Sequence, residues 1–220
     1  MTNKTALVIG ATGLVGEETL KQLLKSAQYA KVIALTRKPV GFTDARLENP
    51  VVDFDKPRQY SSIKADDVYC AMGTTIGKAG SQAAFRKVDF EIPLQIAKQA
   101  LGNGASEFIL VSSLGADAKS AVFYSRTKGE LEQALIKLKY KTLLIFRPSI
   151  LLGDRKEMRT GEAIGRFAAE KLSFLFAGPL KQYKGTPVDL LVKVMIQEAN
   201  TGLTGVHIIE NKQIFEIAEK

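Results

Sequence analysis

Residues 4–16 read KTALVIGATGLVG. A short apolar run, Ala6 to Ile9, ends in glycines at 10, 13 and 16. It continues into a segment with Val15, Leu20, Leu23, Leu24 and Ala27 at helical spacing. The same glycine spacing occurs in ordinary tight turns, so the context decides its meaning: a strand before it and an amphipathic helix after it. In that setting each glycine has a separate physical task. Gly10 lets the chain turn sharply out of the strand, because a residue without Cβ reaches backbone angles closed to others. Gly13 lets backbone N–H groups, with Thr12, Leu14 and Val15 around them, approach a pyrophosphate at the positive end of the helix. Gly16 removes a side chain where the helix must lie against the sheet.

This beginning predicts an α/β fold with a doubly wound parallel sheet of the Rossmann type. At 220 residues the chain has room for one such domain, 1–220, with roughly 150–220 supplying the substrate side and closing elements. A composition of 45% hydrophobic and 25% charged residues suits a soluble globular protein. No apolar run approaches the ~20 residues of a membrane helix, and the N-terminus lacks the pattern of a signal peptide, so no membrane partner and a cytoplasmic location are expected. One cysteine, Cys70, excludes an internal disulfide and reads as a small core residue. With one histidine besides, neither a zinc site nor a Cys-His nucleophile is expected, and no metal is assigned. The net charge of +8 points to anionic ligands. Basic residues are dispersed without interleaved aromatics, so no nucleic-acid partner is expected.

Residues 31–36 read as the second strand, with Arg37 and Lys38 at its tip. An acidic residue here, ~20 positions beyond the glycines, would take the ribose hydroxyls of NAD. No Asp or Glu occurs between residues 19 and 43. A guanidinium can instead grip a 2′-phosphate with two hydrogen bonds, so Arg37 and Lys38 select NADP(H), NAD(H) being the weaker match. The alternative is a pair of solvated surface charges. Pro50 to Asp55 is expected as the third strand, with Asp53 and Phe54 lining the adenine pocket. Val68 to Met72 is the fourth strand, and Gly73, Thr74 and Thr75 form the loop that passes over the cofactor at the carboxyl ends of the strands. A helix is expected from about Asp89 or Phe90 to Gly102, which leaves Pro93 in its first turn. Glu107 to Ser113 is the fifth strand.

After that strand come Ser112 and Ser113, and then Tyr124 and Lys128 in a segment with Leu131, Ala134, Leu135 and Leu138 at helical spacing. Positions four apart share a helix face. A free phenol titrates near ~10, and a neighbouring cation favours its ionised form, so Tyr124 is placed to exchange a proton with a substrate oxygen. A serine at the strand end would hold the same oxygen, and Lys128 would also bond the nicotinamide ribose. The glycine turn, the Gly73 loop, the serine and Tyr124-x-x-x-Lys128 together resemble the short-chain dehydrogenase/reductase superfamily. The strings VVDFD, MGTTIGKAG, VSSLGAD, YSRTKGE and FRPSILLGDR are similar to its atypical branch named for the Tat-interactive protein oxidoreductase. The resemblance spans most of residues 5–160. It implies an NADPH-binding fold with Ser113, Tyr124 and Lys128 as catalytic residues, Ser113 being preferred to Ser112. The superfamily's fourth helper, an asparagine on the helix of the fourth βα unit, has no clear match; Asp89 lies near that region.

Residues 141–147 read as the sixth strand. By the same resemblance, the residues after it, Pro148, Ile150 and Leu151, face the nicotinamide, the last two through their backbones. Arg155, Lys156, Arg159 and Arg166, together with Arg147, form the densest basic cluster, which is either a lid for an acidic substrate or a solvated helix face. Thr186, Pro187 and Asp189 have the order of a helix start. Residues 205–210 form a late strand and 211–220 a closing helix, with His207 structural. The resulting expectation is an NADP(H)-dependent oxidoreductase moving a hydride between nicotinamide and a small carbonyl or alcohol, with Tyr124 as acid/base. The alternative is a catalytically weak NADPH-binding regulator or scaffold. The oligomeric state is not assigned.

Overall fold

The computed structural model of the chain describes residues 3–153 and 184–219. Its centre is a seven-stranded sheet in which every pairing is parallel. The strands are β1 (Lys4–Ile9), β2 (Tyr29–Leu35), β3 (Leu47–Glu48), β4 (Asp67–Cys70), β5 (Glu107–Val111), β6 (Thr142–Arg147) and, after the two short strands β7 (Leu151–Leu152) and β8 (Thr186–Pro187), β9 (Gly205–Glu210). Their order across the sheet is β3-β2-β1-β4-β5-β6-β9, and β7 and β8 pair separately. The order reverses between β1 and β4, and a crevice opens there at the carboxyl ends.

Side chains of a strand alternate between faces, so a central parallel strand must be apolar on both. Ala6 and Val8 of β1 face one layer, where α1 (Leu14–Lys25) packs together with the two C-terminal helices, α6 (Val188–Glu198) and α7 (Asn211–Ala218). Leu7 and Ile9 face the other layer, packed by α4 (Ile92–Gly102) and α5 (Phe123–Ile136). α1 forms because Val15, Leu20, Leu23 and Leu24 line one stripe, while Glu17 in its first turn and Lys25 in its last complement the helix dipole. Burying each of Leu20 and Leu23, both 0% exposed, contributes roughly 1.5–3 kcal/mol.

Three expected boundaries move. The third strand is not Pro50 to Asp55 but Leu47–Glu48, followed by a single bridge of Val51 to Thr36. This is an edge strand beside β2 alone, and Asp53 instead accepts the Asp55 N–H in a polar turn. The fourth helix itself starts at Ile92, with Pro93 in its first turn as expected, but it is no fresh start: the helical run that leads into it opens at Gln82. The short α2 (Ile76–Ala79) is followed by α3 (Gln82–Arg86), which runs through a π-helical turn (Lys87–Glu91) into α4. Pro93 therefore lies inside a continuous helical run. It has no N–H for the Asp89 carbonyl, and its ring crowds that carbonyl, so the turn before it widens; the Ile92 N–H donates to Lys87 O, five residues back. Thr186 does not cap α6: with Pro187 it forms β8, and its hydroxyl donates to Asn211 Oδ1 at 2.5 Å.

At the amino ends of the strands a polar cluster is buried. The Lys4 ammonium meets Asp67 Oδ2 at 2.9 Å, and the Tyr29 hydroxyl donates to the same oxygen at 2.6 Å. Glu107, the partner of Asp67 across β4 and β5, is 3.8 Å from Lys4 and keeps one buried oxygen without a hydrogen bond. Burial first, and the neighbouring Asp67 second, push the Glu107 carboxyl up to about 7, against the opposing pull of Lys4. A carboxyl raised on folding contributes stability that is full below its ordinary value near ~4.3 and is lost as pH rises through about 7. Thermal melts should show this loss between about pH 4 and about pH 7 in the parent and a flatter profile in Glu107→Gln. Identical slopes in the two proteins would remove Glu107 as the cause.

Candidate active site at the carboxyl end of the sheet

The glycine turn joins β1 to α1 beneath the switch point. Gly10 has φ +81°, and a Cβ there would stand 2.5 Å from the Ala71 carbonyl carbon and oxygen at the end of β4. A Cβ on Gly16 would lie 2.2 Å from the Gly10 carbonyl oxygen, because the first turn of α1 folds back on the loop. Both positions are glycine for the protein's own packing. Gly13 differs: a Cβ would meet only the Gly10 oxygen, at 3.3 Å, and would otherwise project into open space before α1. Gly13 is also the N-cap of α1 and offers no side-chain acceptor to its first N–H groups. Thr12 and Gly13 are exposed, Leu14 is half-buried, and Val15 sits in the core, so only its backbone faces the turn.

Arg37 and Lys38 are exposed directly after β2, and neither has a hydrogen bond or ion pair among the described residues. Asp53 is exposed, with its carboxyl held below the usual range first by the Asp55 N–H and then by Lys56. Phe54 is turned inward: it is buried and packs edge-on against Tyr60 with ring centroids 5.8 Å apart, so its ring belongs to the core rather than to an adenine wall.

The crevice loop after β4 carries Gly73, Thr74 and Thr75. The Thr75 hydroxyl caps α2 by accepting from the Lys78 N–H at 3.2 Å, and its own O–H remains a donor. The Thr74 N–H donates to Asp89 Oδ2 at 2.8 Å, and the other Asp89 oxygen lies 2.7 Å from Lys128 Nζ. Asp89 comes from the π-helical turn and Lys128 from α5, with side chains 0% and 6% exposed. Burial draws the Lys128 ammonium down, but the charge of the Asp89 carboxylate, with Tyr124 behind it, raises it, and the net direction is up. Cys70, at the end of β4, is fully buried beside this pair, and burial pushes its thiol up to about 11. Gly73 leaves room for both groups: a Cβ on it would lie 3.3 Å from Asp89 and 3.5 Å from Lys128.

Tyr124, one turn before Lys128 on α5, is half-buried, its ring 5.8 Å from that of Phe85. The two serines after β5 have different surroundings. The Ser112 hydroxyl points inward and donates to Glu132 at 2.5 Å, whereas Ser113 is half-exposed and donates only to the Leu114 carbonyl at 3.1 Å. Glu132 is also gripped by Arg147, at 2.5 Å and 3.1 Å, and Arg147 reaches Glu210 at 2.8 Å. Arg147 is therefore a strut between α5, β6 and β9 and leaves the basic cluster to which sequence reading assigned it. Arg155 and Arg159 lie outside the described residues. After β6, Pro148 is buried and its carbonyl accepts from the Leu114 N–H. The Ile150 carbonyl accepts from the Thr186 N–H at 2.8 Å and Leu151 pairs with Thr186, so that carbonyl is already engaged.

Two residues of this constellation carried little sequence signal. Gly129 follows Lys128 inside α5, and a Cβ on it would stand 2.2 Å from Ala118 N and 2.3 Å from Asp117 C in the loop behind Ser113. An isolated glycine within a helical pattern was the available hint. Glu132, four residues beyond Lys128, reads as a surface acid on periodicity alone.

The NAD(P)H-binding family matches residues 10–151. Protein HTATIP2 of Rattus norvegicus is 34% identical over 225 residues, covering 100% of this chain and 91% of its own length. The Candida albicans protein named FMP52, mitochondrial, is 35% identical over 209 residues, covering 91% of this chain and 90% of its own. A solved short chain dehydrogenase family protein from Francisella tularensis superposes with a TM-score of 0.67 at 12% identity, over 96% of this chain and 99% of that one. At that identity the likeness speaks for the fold alone.

Proposed function

From the premise that the chain belongs to the NAD(P)H-binding family and groups with HTATIP2 and FMP52, we propose that it is an NADP(H)-dependent oxidoreductase acting on a small carbonyl or alcohol. The observation that carries this reading is the buried Lys128 ammonium, held against the crevice loop one helical turn beyond Tyr124. The glycine turn fits a dinucleotide, because Gly10 and Gly16 are required by internal contacts while Gly13 leaves open the space before α1 that a pyrophosphate would fill. Backbone N–H groups of residues 12–16 would hold the phosphates, and Arg37 with Lys38 the 2′-phosphate. Asp53 would meet the adenine, the backbones of Gly73 and Thr74 the ribose side, and Lys128 the nicotinamide ribose. The backbone from Pro148 to Leu151 would border the nicotinamide.

When bound, NADPH supplies the hydride. The chain's own residues handle the oxygen. The Tyr124 hydroxyl donates its proton to the substrate carbonyl oxygen as the alcohol forms, and accepts it back in the reverse direction. The Ser113 hydroxyl turns from the Leu114 carbonyl to donate a hydrogen bond to the same oxygen. An acidic substrate recognised by Arg155 and Arg159 belongs to the same proposal. So does a cytoplasmic location; the mitochondrial name of the Candida relative is the alternative that cell fractionation would detect.

Calorimetric titration with NADPH and NADH tests the cofactor. The parent should prefer NADPH, and Arg37→Ala should lose roughly 10- to 100-fold in NADPH affinity, the worth of a charged phosphate contact, with little change toward NADH. A parent that binds neither nucleotide would sink the reading.

A further inference from the structure

We propose that Asp89 is a positioning residue that opposes, at Tyr124, the field of the Lys128 ammonium, and so sets the site up to give a proton to a carbonyl rather than to take one from an alcohol. Its catalytic meaning rests on the function proposed above; its physical content rests on the geometry alone. Opposite charges 2.7 Å apart, both removed from water, act on a third group with opposite signs, so each offsets part of the other's effect. Lys128 by itself would favour the phenolate of Tyr124; the Asp89 carboxylate paired with it opposes that effect. The pair is built in from three sides. The π-helical turn that Pro93 imposes on the helical run carries Asp89, the Thr74 N–H fixes the second carboxylate oxygen at 2.8 Å, and Gly73 closes over both charges without a side chain.

Among the described residues, the titratable groups whose charge acts on Lys128 are Asp89 from the π-helical turn, in direct contact, Tyr124 from its own helix and the Cys70 thiol from β4. From α3, Phe85 lies on the Tyr124 ring, and Arg86 is paired with Glu130. In the loop behind Ser113, Asp117 accepts from the Lys119 N–H. None of these replaces Asp89 as the counter-charge of Lys128.

The test is a near-ultraviolet titration of tyrosinate in the full chain, without cofactor or substrate. Asp89→Asn should introduce an ionisation step about 1 pH unit or more below any in the parent, and the step should vanish in Asp89→Asn/Tyr124→Phe. Lys128→Met, which leaves the carboxylate alone, should move the Tyr124 step the opposite way, so the inference stays testable if one single variant does not fold. The double variant Asp89→Asn/Lys128→Met should titrate like the parent. A parent-like titration in either folded single variant, a step that survives Tyr124→Phe, or a double variant shifted as far as a single one overturns the inference. NADPH calorimetry on the parent is independent of these shifts: absent binding with opposed shifts would sink the oxidoreductase reading and leave the Asp89 effect standing.

Discussion

A Tyr124→Phe variant should bind NADPH as the parent does and turn over a carbonyl substrate about 10²- to 10⁴-fold more slowly, the usual worth of a positioned proton donor. The substitution removes one hydroxyl. The ring keeps its contact with Phe85, and the Asp89–Lys128 pair does not depend on the phenol, so the helix and the crevice loop should be unchanged. Calorimetry and NADPH consumption against a panel of neutral and carboxylate-bearing carbonyls measure the two effects separately. Turnover retained within a few-fold would remove Tyr124 as the acid. A cellular role that survives the variant would favour the reading as an NADPH-binding regulator, since such a role needs the cofactor and not the proton.

Gly129→Ala should be the most damaging small substitution in α5. In an exposed helix the change would stabilise by about 1 kcal/mol through helix propensity. Here the added carbon would overlap backbone atoms of Asp117 and Ala118, at 2.3 Å and 2.2 Å, which cannot move aside as a flexible side chain would. The loop is fastened to α5 on either side of this contact. The Asp117 N–H donates to Ser125 O at 3.1 Å, and the Arg126 guanidinium donates to Ser120 O at 2.7 Å. Overlap should therefore cost roughly 1–3 kcal/mol net of propensity, or several degrees in Tm. It should also displace Ser113, for which a shift of ~1 Å costs about 10²-fold in turnover. NADPH affinity should fall much less than turnover, because the phosphate-binding turn proposed at residues 12–16 lies outside α5. A raised Tm with full activity would show that the loop yields freely and that Gly129 positions nothing.

Legibility differed by element. The strands β1, β4, β5 and β6, which lie deep in the sheet, are readable because central parallel strands are apolar on both faces, and glycines or polar turns separate them. β3 was misplaced because an edge strand of two residues carries almost no pattern, and VVDFD looked more strand-like than Leu47–Glu48. Pro93 does mark the first turn of α4, but the sequence hides that α4 continues α3, because the π-helical widening that joins them leaves no periodic trace. Arg147 looked like part of an anion site because sequence shows the charge and not Glu132 and Glu210, which neutralise it.

The sequence by itself determined the βα opening, the parallel sheet that follows from alternating strands and helices, the sharing of one helix face by Tyr124 and Lys128, and the absence of an acid at the tip of β2. Each of these is a property of one element or one turn, where spacing along the chain translates directly into position. Only the tertiary structure decided that Asp89 pairs with Lys128, that Ser112 belongs to Glu132 while Ser113 faces outward, and that Gly129 carries the loop behind the serine. Those contacts join elements distant in the chain, and their geometry is set by how a widened helical turn, a crevice loop and a neighbouring helix pack at the end of one sheet.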